Sequence, residues 1–194
     1  MDLYLLLVFV HVSGAMLLFG SWGIEAVLFR ELRRAITVDE ASYWLRLRAH
    51  WAFLAPVGMM SLLVSGIAMT WLRWGMLPWP MTALAGLILV MPVSGILEQR
   101  ALPRIKAAVA KPEGLVTDDY YTAARLLAIS LSVRFALGAA IVGLMTMKPA
   151  LPGSITLLVT GLLVATAGSL AQLREGQPLR HKLMRALAQP KRAA

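Results

Sequence analysis

From Leu3 to Phe29 the chain reads LYLLLVFVHVSGAMLLFGSWGIEAVLF, an apolar run interrupted by one histidine, His11, and one carboxylate, Glu25. About 20 apolar residues at a rise of about 1.5 Å each cross a hydrocarbon core about 30 Å thick, and this run is longer than that. A segment of this kind has to be a membrane helix, because only a helix satisfies its own backbone hydrogen bonds in lipid. The chain is therefore expected to be all-α and to live in a bilayer. Its function should depend on the polar residues that it carries into the membrane.

Four further apolar runs follow. The second span is expected over about 51–72, the third over 81–97, the fourth over 126–147 and the fifth over 155–173, with a basic tail over 174–194. Residues 1–194 thus form a single transmembrane domain, since no polar stretch is long enough to fold alone. In the first polar segment Asp39 is a candidate N-cap for a helix entering the membrane near His50. At the far end of the second span, Trp71, Trp74 and Trp79 form an interfacial aromatic belt, with Pro78 and Pro80 expected to end the helix. Pro92 is expected to kink the third span. Glu113, Asp118 and Asp119 are expected in a loop, capping the start of the next helix.

Composition agrees with this reading, since 59% of the 194 residues are hydrophobic and only 15% are charged. The formal charge of +9 is not a sign of a nucleic-acid partner, because the basic residues lie in short segments between apolar runs. Five Arg or Lys lie in each polar segment, 30–48 and 98–125, and six in the tail, against Arg73 and Lys148 on the other side. The positive-inside rule then puts the N-terminus outside and the two polar segments and the C-terminus in the cytoplasm, with five spans. The absence of cysteine excludes disulfides, thiolate metal sites and cysteine nucleophiles. No HExxH, GxSxG, Walker or GxGxxG motif is present, which argues against a hydrolase or nucleotide enzyme. The first run lacks the short core of a cleaved signal and is expected to stay in the mature protein.

Topology converts positions into depths. His11 falls in the outer half, while Glu25 and Arg134 both fall near the cytoplasmic side, where they can form a structural ion pair. His50 and His181 lie at the opposite side from His11, about 20 Å or more away in depth, which excludes a bis-histidine haem on His11 and His50. His11 itself reads either as a ligand or as a histidine hydrogen-bonded to a neighbouring helix. Gly14, Ser65, Gly66, Gly86 and Gly143 lie near its depth, where they allow either close helix packing or a slot for a flat macrocycle. Arg73 and Lys148 are either interface anchors or partners for haem propionates. Met69, Met76, Met81, Met145 and Met147 are either flexible filler or soft ligands that, with His11, suit Cu(I).

The opening YLLLVFVHVSGAMLLFGSWG resembles a group of small bacterial membrane proteins whose first helix carries an apolar-HVxGA-apolar-FG pattern. The group takes in uncharacterised domains of similar length, the copper-resistance protein D family and the oxygen-independent membrane protoporphyrinogen oxidases. The likeness continues in the basic loop, the second span opened by basic residues and the later span closed by Lys148-Pro149. In the oxidases the matching histidine is thought to serve a b-type haem, so the resemblance implies that role for His11. The oxidases follow it with Trp-x-x-Gly and then Pro-Arg. Here Trp22-Gly23 and Arg30 are displaced, the proline is missing and a fifth span is present, so the uncharacterised members are the nearer likeness.

The reading that results is a bacterial inner-membrane protein with a b-type haem on His11, one outer methionine as a second ligand, and a role in electron transfer or membrane redox chemistry with a membrane redox partner. The alternative is a non-catalytic protein. It would be either a copper-handling permease using His11, Met69, Met81 and Met145, or an accessory subunit whose fifth helix packs in a larger complex.

Overall fold

A computed structural model describes the backbone of residues 2–110 and 114–188, and the side chains of these residues as far as Arg174. Six helices follow one another: α1 Leu3–Arg34, α2 Val38–Trp51, α3 Leu54–Met69, α4 Pro78–Val109, α5 Asp118–Met147 and α6 Leu151–Ala188. The protein is all-helical among these residues, apart from one isolated β-bridge between Thr37 and Leu115. Five segments are long and apolar enough to cross a membrane, namely α1, α2 with α3, α4, α5 and α6 as far as Arg174. It is a multi-pass membrane protein. The spans alternate in direction, so the N-terminus, the turn after α3 and the turn after α5 share one end, called here the N-terminal end. The residues linking α1 to α2 and α4 to α5 share the other, the basic end.

Most helices run past the apolar limits expected of them. α1 continues to Arg34, α4 starts at Pro78 and reaches Val109, α5 starts at Asp118, and α6 passes unbroken through the basic stretch to Ala188. Charged residues are good helix formers, so hydropathy marks where the bilayer ends and not where the helix does. The N-cap of α2 is Thr37, not Asp39. The Thr37 hydroxyl accepts from the Glu40 N–H, while the Glu40 carboxylate accepts from the backbone N–H of Ile36 and Thr37, a capping box that leaves Asp39 in the first turn. Pro78 and Pro80 open α4 instead of ending the span before it, because proline fits the first turn of a helix, where no N–H partner is needed. That earlier span ends in a π-turn, Thr70–Trp74, and then Gly75 at φ 60°, where glycine carries no penalty. α4 stays helical through Pro92 and Pro103. Asp118 and Asp119 lie in the first turn of α5 as acidic residues at a helix N-terminus, while Thr117 is the residue at the cap position. Lys111, Glu113, residues 189–194 and the side chain of His181 lie outside the described residues.

The helices form two lobes. α1 packs along α3, while α5 packs along both α4 and α6, and the lobes meet where α1 crosses α5. α5 is the central helix, with 44% of its apolar window buried against 11% for α1. α3 scarcely meets α4. The tightest core lies at the basic end, where Leu32, Ala41, Ala101, Ile105, Tyr120, Ala123 and Leu127 are inaccessible. There the Tyr120 hydroxyl donates to the Leu32 carbonyl at 2.7 Å and that of Tyr121 to Ala35 at 3.1 Å. These are carbonyls that the end of α1 cannot satisfy within the helix. In the spans, hydroxyls fold back on their own helices, Ser61 onto Val57, Thr70 onto Gly66 and Ser132 onto Ala128. With no water to bond, that is the local way to satisfy them.

Candidate functional site

His11 lies on α1 with its ring turned toward α3. A Cβ on Gly66 would meet the ring's Cε1 at 3.2 Å, so glycine is what lets the imidazole lie against the α3 backbone. Next to it, Nδ1 is 3.0 Å from the Oγ of buried Ser65. The Ser65 hydroxyl proton is directed to carbonyls of its own helix, Ser61 and Leu62. Its oxygen therefore accepts, and Nδ1 carries the hydrogen. The arrangement favours the Nδ1–H tautomer. In that tautomer Nε2 keeps its lone pair.

Two cavities share His11 as a wall. The larger is a cleft of about 560 Å³ between the lobes, bounded by α1, α3, α4 and α5. Trp22, Phe19, Trp71, Trp74 and Met81 line it, and His11, Thr70 and Thr146 are its polar side chains. It follows from the failure of α3 and α4 to pack. The smaller, about 210 Å³, is lined by His11, Met69, Met145 and Lys148 together with Tyr4, Trp74 and Trp79. Lys148 closes α5 in the left-handed conformation at φ 49° and sets its ammonium 5.8 Å from the Trp79 ring centre. Arg73, on the π-turn, stacks on Tyr4 at 4.8 Å. His11, Met69, Met145, Lys148 and Arg73 thus gather at the N-terminal end of the bundle. Met76 and Met147 point outward, 92% and 72% exposed. Among the described residues no group of three His, Asp or Glu is arranged to hold a metal. His50 lies at the end of α2 against Trp51, at the other side of the membrane from His11.

The small residues near His11 also pack helices. Gly14 and Gly58 face each other's helices where α1 and α3 cross, and a Cβ on Gly58 would come 2.7 Å from the Leu18 nitrogen. Gly86 and Gly143 sit against Leu158 and Leu157 of α6.

At the basic end Glu25 and Arg134 pair at 2.7 Å. The pair belongs to a larger group. Arg48 of α2 lies 2.9 Å from Glu98 of α4 and 3.5 Å from Glu25, and Arg134 Nη2 lies 2.9 Å from Glu98 Oε1, although off the hydrogen-bond direction. Two carboxylates and two guanidiniums alternate in a closed ring that joins α1, α2, α4 and α5, with Phe29 under the Arg48 guanidinium at 5.5 Å. A net charge of zero makes such a group tolerable in an apolar setting. Arg48 and Glu98 are absent from the sequence-derived pair because each sits at the edge of its span, where it reads as an ordinary interfacial charge. The available signal was depth, since both lie at the level of Glu25.

No family model, curated protein or solved structure matches the chain.

Proposed function

We propose that the protein binds a b-type haem in the cleft between its lobes, held by Nε2 of His11, and that it takes part in electron transfer or redox chemistry within a membrane. One observation carries this reading: the His11 imidazole, engaged through Nδ1 with Ser65, lies at the wall of an apolar, aromatic-lined cleft, with Nε2 as its other nitrogen. A histidine that ligates a metal ordinarily has its other ring nitrogen fixed in this way. The cleft volume of about 560 Å³ lies in the range of cofactor sites, about 300–1,000 Å³. Arg73 and Lys148 stand at the same end of the bundle as His11 and are suited to pair with propionates. Bound there, the haem would supply one-electron redox chemistry. The chain's own part is to present Nε2, to exclude water with Trp22, Phe19 and Trp74, and to neutralise the carboxylates at the membrane surface. In this reading the N-terminal end faces outward and the basic end faces the cytoplasm of a bacterial inner membrane. The first-helix resemblance supports it.

The test is the absorption spectrum of the detergent-purified protein, made with haem available and then reduced with dithionite. A Soret band with α and β bands that sharpen on reduction, lost in His11→Ala and kept in Met147→Ala, whose side chain lines neither cavity, is expected. A featureless visible spectrum, or a His11→Ala protein with full haem content, overturns the proposal.

The smaller cavity favours one second reading. It places His11 with Met69 and Met145, a soft nitrogen and thioether set suited to Cu(I). Haem-free protein that retains Cu(I) through dialysis, and loses it on Met69→Leu with Met145→Leu, would replace the first reading with this one.

A further inference from the structure

The cleft is apolar apart from His11, Thr70 and Thr146, and it is long. From His11 to Trp22 it follows α1 for eleven residues, about 16 Å at about 1.5 Å each. It runs from the turn at Trp74–Met76 down into the apolar stretch of the spans. It opens sideways where α3 and α4 fail to pack, and the flanks of that gap are apolar and outward-facing, with Val64 and Ile67 on α3 and Ile88 on α4 each at least 50% exposed. At the basic end the two lobes are joined by a dense core and by the charged ring. Within that ring the Arg48–Glu98 contact is what ties the α3-bearing lobe directly to α4, because α2 runs into α3 at Trp51–Leu54.

We propose that the gap between α3 and α4 is a lateral portal, that the cleft takes its occupant through it as a lipid-soluble molecule dissolved in the bilayer, and that the Arg48–Glu98 ion pair holds the portal at its present width. The argument rests on the haem reading only for the identity of the final occupant, a flat amphipathic macrocycle that itself partitions into membranes. The route rests on geometry. The lining is apolar except for His11, Thr70 and Thr146, so a lipid-borne ligand entering between α3 and α4 passes from hydrocarbon into surroundings of the same kind, whereas a water-borne one has to leave water for them. Control by Arg48 and Glu98 follows from their place. Glu25 and Arg134 bond each other at 2.7 Å and keep α1 on α5, and the shared core at the basic end still holds α2 on α4, so loss of Glu98 removes the charged tie next to the gap and loosens it while the bundle stays assembled.

The full chain in phosphatidylcholine vesicles, without haem, provides the test. 5-Fluorotryptophan replaces all six tryptophans, and the fluorine signal of Trp22, which lines the cleft and is 3% exposed, is assigned by its loss in Trp22→Phe. Two relaxation probes are compared, a phosphatidylcholine with a nitroxide on its acyl chain and a water-soluble gadolinium chelate. The lipid nitroxide is expected to broaden the Trp22 signal and the chelate to leave it sharp. In Glu98→Gln the lipid broadening should at least double, while Arg48→Lys, which keeps the charge, stays near wild type. Broadening by the chelate and not by the lipid, or by neither, overturns the portal. Equal broadening in wild type and Glu98→Gln overturns the control by the ion pair. Because no haem is used, a wild-type protein with no Soret band would remove the haem assignment without touching this result.

Discussion

At the scale of single residues the decisive contact is that of His11 Nδ1 with Ser65. Ser65 can accept from Nδ1–H only because its own proton is spent on the α3 carbonyls. Nitrogen-15 spectra of histidine-labelled protein without cofactor at neutral pH should therefore show, for His11, a protonated Nδ1 and a bare Nε2, and the opposite tautomer would refute the geometry. Ser65→Ala leaves a partly buried N–H without a partner, worth about 1–3 kcal/mol of stability, and it frees the ring to turn, so ligand affinity should fall about 10–100-fold. A cofactor titration of wild type and Ser65→Ala reads that loss directly. The charged ring makes the second residue-level prediction. Removing one member strands its partner's charge in an apolar setting, so Glu25→Ala should cost about 3–5 kcal/mol, while Glu25→Leu with Arg134→Met should recover much of it. Unfolding in mild detergent distinguishes the two, and equal stability of single and double variants would show that the pair is not the unit. Sequence depth counting puts Glu25 level with Arg134 and puts Ser65 and Gly66 near His11. It does not reveal that Arg48 and Glu98 close the ring, because partner choice among interfacial charges depends on which helices are neighbours, and hydropathy is silent on that.

At the scale of elements, the α1–α3 crossing sets how closely the first lobe is built. A Cβ at Gly58 would meet backbone, 2.7 Å from the Leu18 nitrogen, so neither partner can yield without the helices separating. Gly58→Ala should destabilise by about 1–3 kcal/mol, the usual cost of overpacking. Gly23→Ala is the control, since nothing lies within 4 Å of its Cβ position and alanine is the better helix former. A Gly58→Ala protein as stable as Gly23→Ala would mean that the crossing is looser than described. The capping box at α2 carries a pH dependence of known sign. Two backbone N–H bonds hold the exposed Glu40 carboxyl below its ordinary value, so its support for the helix start is present at neutral pH and is lost as pH falls through that lowered value. Protection of the amides in the first turn of α2, corrected for the intrinsic pH dependence of exchange, should fall on acidification in wild type and not in Glu40→Gln. The apolar runs made the five spans legible, but the helix starts were harder to place. Asp39 and Thr37 are both good caps, and only the reciprocal bond from Glu40, three residues after Thr37, decides between them.

At the scale of the whole molecule, the distribution of charge and the distribution of packing follow the same axis. The basic end carries most of the arginines, the tight core and the closed ring, whereas the N-terminal end carries the cleft, the aromatic turn and, of the Arg and Lys among the described residues, only Arg73 and Lys148. A bundle divided in this way has a rigid half and an open half. If the positive-inside rule governs it, the open half with His11 faces away from the cytoplasm. The absence of cysteine allows a clean check. Met76 is 92% exposed at the N-terminal end, and the Arg104 side chain is 49% exposed at the basic end. In intact spheroplasts of a bacterial host, Met76→Cys should react with a membrane-impermeant maleimide, and Arg104→Cys should react only after the membrane is permeabilised. The reverse pattern would turn the molecule over, and with it the assignment of Arg73 and Lys148 to the outer surface. It would leave the cleft, the portal and the His11 tautomer where they are, because those follow from packing and not from the direction in which the chain was inserted.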